Sequence, residues 1–180
     1  MKYLSLILLA WMLNFQTGQD LYVCKNANIT LFSSAPIEDI KAETSSGASV
    51  FNAATGDLNF SVPISTFKFQ KSLMQEHFNS DYMESDKYPR ANFKGKIAEK
   101  IDVTKDGSYP VNVTGDLTVH NVTQKRTIPG TITVKGGVLS MKSEFMVKCA
   151  DHHIDIPRIV FHNIAESIKI TVAATYAPNK

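Results

Sequence analysis

Histidine is the side chain best placed to do chemistry near neutral pH, and this chain has 5. His152 and His153 are adjacent, with Asp151, Asp155 and His162 close by. Imidazole and carboxylate are donors that zinc or copper accepts. Adjacent histidines point opposite ways in an extended chain, and no defined ligand spacing accompanies these two. The segment reads as a solvated loop, and no metal is expected. Nucleophilic catalysis has no better footing. A serine nucleophile sits on a constrained turn beside its base. The chain contains no Gly-x-Ser-x-Gly, and Ser46-Gly47 falls in a polar stretch read as a loop. Glu38-Asp39 and Asp81/Glu84 are adjacent or loop-borne, unlike carboxylates that project from neighbouring strands into a cleft. No phosphate loop or dinucleotide fingerprint is present. The expectation is a chain without catalytic residues, metal or cofactor.

One histidine stands apart. Leu73, Met74, His77 and Phe78 recur at helical spacing, Ser72 is available as an N-cap, and Gln75 follows three residues on. The spacing predicts a short helix within Ser72–Met83 that lies across the mouth of whatever the strands build. His77 then falls on its apolar side. It is either a packed residue bonded to a carbonyl, the commoner outcome, or a polar group at a cavity mouth.

The elements around that helix are strands. Leu58, Phe60 and Val62 share a face, with Asn59 and Ser61 opposite. Val111, Val113, Gly115, Leu117 and Val119 repeat the alternation, as do Ile128 to Val134, Leu139 to Val147 and Ile168 to Ala174. Weaker runs cover Ile29 to Ser33, Ile40 to Thr44 and Ala91 to Ile97. Turn signals separate them: Ala54-Thr55-Gly56-Asp57, Lys105-Asp106-Gly107 and the Gly136-Gly137 pair of a tight hairpin. Many short strands with one apolar face predict an all-β, antiparallel sandwich or barrel. Ala150 to Asn163 breaks the rhythm and is expected to form a loop and a bent edge strand.

The N-terminus predicts export. Lys2 precedes an apolar stretch, Leu4–Leu13, interrupted only by Ser5, and Gln16-Thr17-Gly18-Gln19-Asp20 closes it. This is the layout of a cleavable signal peptide over residues 1–19, too short to anchor the chain in a bilayer. A domain of about 160 residues follows, enough for one sizeable core. Removing Lys2 takes the net charge from +2 to +1, which gives nucleic acid no basic face to bind. Cys24 and Cys149 are the two cysteines of the chain. Export permits a disulfide between them, and two separate buried thiols are the alternative. Sequons at Asn28, Asn59, Asn112 and Asn121 matter only in a glycosylating host.

Bulky apolar groups are abundant, with 10 Phe and 6 Met. A barrel of eight strands is the size at which the interior is either filled or holds one small ligand. From the residues alone the two outcomes are equal.

Three segments shift that balance. Phe67-Lys68-Phe69 leads to Met74-Gln75-Glu76-His77-Phe78 and Asp81-Tyr82-Met83. Tyr88-Pro89-Arg90-Ala91-Asn92-Phe93 follows, and then Val113-Thr114-Gly115-Asp116-Leu117-Thr118-Val119-His120-Asn121-Val122-Thr123. In order and spacing these resemble the YceI family of exported lipid-binding proteins, over residues 21 to 176. The resemblance implies a lipocalin-like, eight-stranded antiparallel barrel, periplasmic or secreted, often dimeric. It also implies a polyisoprenoid, quinone-like or acyl-type amphiphile as partner. Asn121 stands where the family commonly has Gly, at a turn of positive φ. The compact, polar Phe32–Val50 region, with its Ser-Ser-Gly stretch, departs from the pattern and bears on cavity depth.

With that fold, the alternation turns Leu58, Phe60, Val62, Phe93, Val113, Leu117, Phe145, Val147 and Ile170 inward. Phe67, Phe69, Met74, His77, Phe78 and Met83 form the lid and mouth. The expected function is a non-catalytic carrier of an apolar chain, with no nucleic-acid partner. A secreted interaction or stress-related protein with a filled core is the alternative, and a hydrolase or metalloprotein using His152-His153 ranks below both.

Overall fold

The computed structural model describes residues 20–34, 39–156 and 165–178. The expected signal peptide, His162 and most of the predicted bent edge strand lie outside them. Nine strands form: β1 (Leu21–Ser33), β2 (Ile40–Asn52), β3 (Asp57–Pro63), β4 (Lys68–Phe69), β5 (Arg90–Ile97), β6 (Gly107–Val119), β7 (Val122–Lys135), β8 (Val138–Lys148) and β9 (Ser167–Pro178). Eight of them close on themselves, all antiparallel, in the order β1-β9-β8-β7-β6-β5-β3-β2 and back to β1. β4 is an addition, two residues that pair with β2 where β3 has already left it.

Alternation explains the closure. Along β6 Val111, Val113, Gly115 and Leu117 are buried, while Asn112, Thr114 and Asp116 between them are exposed. One apolar face per strand forces the sheet to curl until those faces meet. Two-residue hairpins keep neighbours in register. Gly136 and Gly137 take φ of 56° and 77°, and His120 and Asn121 take 49° and 59°. That is the left-handed pair such a turn demands. Asn121 therefore occupies a positive-φ site, where Asn is tolerated better than branched residues. Gly115 has a different reason to be glycine. It faces Gly95 across β5–β6, and a Cβ built on it would sit 2.2 Å from the Lys94 carbonyl oxygen.

The connections divide the barrel into two ends. At one, the β2–β3 and β7–β8 hairpins and the β5–β6 connection gather over a tightly filled floor. Phe51, Ile132 and Leu139 are almost fully buried there. Tyr176 donates its hydroxyl to Ser49 Oγ at 2.7 Å, and Ser49 donates onward to the Asn59 carbonyl at 2.9 Å. Burial pushes the Tyr176 phenol well above its ordinary pKa of 10, so this relay stays protonated. At the other end, the segment between β3 and β5, the His120-Asn121 hairpin and the turn after β8 form a cap.

Two expectations need correction. Ser45-Ser46-Gly47 is not a loop: it lies inside β2, a full 13-residue strand, opposite Ala27 at an irregularity in the β1–β2 ladder. Ser45 and Ser46 are both exposed, which breaks the period-two alternation at this irregularity, so the strand is legible only once its partner is known. The helix is also differently capped than predicted. α1 spans Ser72–His77, with Lys71 as its N-cap and no side-chain capping bond. The chain then widens into a π-turn over Phe78–Tyr82, with the Met83 amide bonded to the Phe78 carbonyl at 2.9 Å.

The barrel cavity and its cap

Above the floor the barrel is hollow. A cavity of about 420 Å³ is lined by side chains from all eight closing strands, within the ~300–1,000 Å³ of small-molecule sites. Leu58, Phe60 and Val62 reach it from β3, and Phe93 from β5. Val113 and Leu117 reach it from β6, Phe145 and Val147 from β8, and Ile170 from β9. Phe67, Phe69, Met74, His77, Phe78 and Met83 line its capped end. The fifteen residues singled out from the sequence thus converge on one space.

The same alternation held a signal for several others. Val111, Ile128, Ile132, Met141 and Val172 share strand parity with the residues named and also line the cavity. Ile29, Leu31 and Ala42 come from the weaker β1 and β2 runs. Ile154 and Ile156 belong to the irregular segment after β8 and could be found only in three dimensions.

The cap is itself a packed layer. Phe78 stacks against Phe67 and Phe69 with ring centroids 5.8 and 4.9 Å apart. Beside them Ile64, Met83, Cys149 and Ile154 form a second buried cluster. His77 is exposed and meets the cavity only at its rim, so the mouth reading describes its place. The polar ties lie outside the apolar layers. His120 Nε2 meets the Glu84 carboxylate at 2.9 Å, and its Nδ1 faces the His152 carbonyl at 3.3 Å. The hydrogen bond from His120, with help from Lys87, holds the Glu84 carboxyl below its usual range.

His152 is not in a solvated loop. It is fully buried in the 3₁₀ turn Cys149–His152, and its Nδ1 donates to the Val122 carbonyl at 3.0 Å. A carbonyl only accepts, so the proton is on Nδ1, and Nε2 is left buried without a hydrogen-bond partner among the described residues. His153 is exposed at the end of that turn, with φ of 54°. Among the described residues no three of His, Cys, Asp and Glu gather as a metal site requires. Cys24 and Cys149 are free and belong to separate buried clusters. Burial raises the Cys149 thiol pKa, keeping it protonated and unreactive.

A closed eight-stranded antiparallel barrel around an apolar cavity defines a lipocalin-like binding fold. The YceI-like domain model matches residues 26–176, and the chain belongs to that family. A polyisoprenoid-binding domain from Saccharophagus degradans superposes with a TM-score of 0.75 at 10% identity, covering 89% of this chain and 99% of its own. Burkholderia cenocepacia BcnA gives 0.69 at 16%, covering 83% and 95%. A Campylobacter jejuni YCEI protein gives 0.62 at 18%, covering 100% and 99%. At these identities the likeness is one of fold. A search of curated proteins finds no match.

Proposed function

We propose that this protein is an exported, non-catalytic carrier that holds one apolar or amphiphilic chain, of isoprenoid, quinone-like or fatty-acyl type, inside its barrel. The observation that carries this reading is the cavity, lined almost wholly by aliphatic, aromatic and methionine side chains. Burial of a flexible tail there gains about 25 cal/mol per Å², partly offset by the cost of ordering it. Methionine adapts to an irregular guest at little expense. The polyisoprenoid-binding domain of similar fold supports the same class of cargo. Export rests on the N-terminal segment, Leu4–Leu13 behind Lys2. A filled-core interaction protein has no support from a hollow interior.

Native mass spectrometry of protein purified from its own source, followed by organic extraction, tests the proposal. A stoichiometric long-chain amphiphile is the expected result. The variant Val113→Trp, which fills the cavity from β6, should weaken uptake by about tenfold or more while retaining the barrel's circular dichroism. Normal uptake by a folded Val113→Trp protein would remove the interior site.

A further inference from the structure

The wall of the barrel is not zipped throughout. β7 pairs with β6 from Val122 to Val134, and β8 pairs with β9 from Leu139 to Lys148. Between β7 and β8, however, the rungs run only from Lys135–Val138 to Gly130–Ser143. Above that rung the two strands part, although each continues toward the capped end along its other neighbour.

Pro129 accounts for the break. The Thr131–Lys142 pair belongs to the ladder, so the next rung of the same kind would join residue 129 to Glu144. That rung needs an amide proton from residue 129, and proline has none. Its carbonyl, which the Glu144 amide would otherwise use, accepts the Ser143 hydroxyl at 2.6 Å instead. Further up, the Arg126 guanidinium donates to the Met146 carbonyl at 2.7 Å and lies 3.5 Å from Asp151. Among the described residues, side chains rather than backbone rungs thus span the slit. From the last rung at Gly130 to Arg126 the gap runs about 13 Å at ~3.3 Å per residue.

The cavity reaches this slit. Its lining includes Pro129, Thr131 and Lys142, which alternate with the inward-facing residues of β7 and β8 and so belong to the outer face. Met146, on the outer face beside the slit, is among the exposed large apolar side chains. The capped end offers a harder passage. Among the described residues, a tail entering there meets the rings of Phe67, Phe69 and Phe78 and the buried cluster around Met83.

We infer that the slit between β7 and β8, held open by Pro129, is the portal through which a single-chain amphiphile threads its tail sideways into the barrel. The inference rests on the carrier reading, and it concerns the route rather than the cargo. Tail-first entry leaves the polar end of the guest beside Thr131, Lys142 and Ser143.

The test is stopped-flow uptake and release of cis-parinaric acid, a fluorescent fatty acid, by the full folded chain. Pro129→Val combined with Ser143→Ala restores the missing donor and frees the acceptor, extending the ladder by one rung. Slowed hydrogen exchange at Glu144 verifies the extension. Independently, Thr127→Cys with Met146→Cys places exposed thiols on opposite edges of the slit. A reductant-cleavable bifunctional thiol reagent then straps the edges together, while Cys24 and Cys149 remain buried. Both closures should slow uptake and release by about tenfold or more, and the strap, whose anchor positions do not line the cavity, should leave Kd within about twofold, since a gate changes rates but not the equilibrium. Cleaving the strap should restore the rates. Unchanged rates with the strap in place would overturn the portal and leave the carrier reading standing. Failure of the wild-type chain to take up the probe would remove both.

Discussion

At the scale of single residues, the most constrained position is Gly115. Its partner strand approaches so closely that a Cβ would lie 2.2 Å from the Lys94 carbonyl oxygen and 2.3 Å from the Gly95 Cα. Neither atom belongs to a side chain that can swing away. Gly115→Ala should therefore cost about 3 kcal/mol through displacement of β5, read from the urea midpoint. An unchanged midpoint would mean that β5 can shift without loss. The need for glycine here cannot be seen in the alternation, where Gly115 looks like one more inward position. It arises from a backbone on another strand.

At the scale of elements, the connection between β5 and β6 carries its own electrostatic lock. Asp102 accepts the Thr104 hydroxyl and amide, and Lys105 Nζ lies 3.1 Å away. These bonds, the Thr104 hydroxyl first, lower its pKa from 3.8 to about 2. A depressed carboxylate stabilises the fold above its unfolded pKa, and that contribution is lost as pH falls through the folded value. Asp102→Asn should thus lower the melting temperature at pH 7. The gap from wild type should close as pH falls from about 4 to about 2, a trend that thermal melts across pH will check. The strands themselves were legible: every alternating run corresponds to a barrel strand. The polar Ser45-Ser46-Gly47 stretch was not, because outward polar residues in a curved strand look like loop residues until the partner strand is in place. The helix start was misjudged for a related reason. Ser72 and Gln75 satisfy the spacing of a capping box, but the chain enters the helix from Lys71, and the Gln75 amide bonds to the Lys71 carbonyl at 3.2 Å.

At the scale of the whole molecule, the barrel is a floor, a cavity and a cap in series. On the carrier reading ligand and folding are linked, since the cavity exists only where all eight strands have closed. Cis-parinaric acid held at about 100 times its Kd should stabilise the native state by about 2.7 kcal/mol, a rise of several degrees in Tm. Calorimetry of the same binding should show a negative heat-capacity change from apolar burial. A Tm that ignores the ligand would place the binding site outside the cooperative core. The Val113→Trp protein should lose the shift, because its cavity is filled from within.

Period-two alternation by itself determined that this chain makes antiparallel strands with one apolar face each. Together with turn residues at Gly56 and Gly136-Gly137, it determined which side chains turn inward. Such information is local, because a residue's parity depends only on its neighbours in the chain. Whether the inward faces meet in a filled core or leave a void was open in the sequence. It depends on how far apart eight strands sit after closure, a sum over contacts between residues distant in sequence. The tertiary structure decided it, with a plugged floor at Tyr176 and Ser49 and open space above. It also decided that His152 is buried rather than solvated, because Val122 on β7 supplies the carbonyl that its ring requires. The missing rung at Pro129 shows both levels at once: the absent amide proton is written in the sequence, but that it faces β8 across an opening in the wall follows only from the fold.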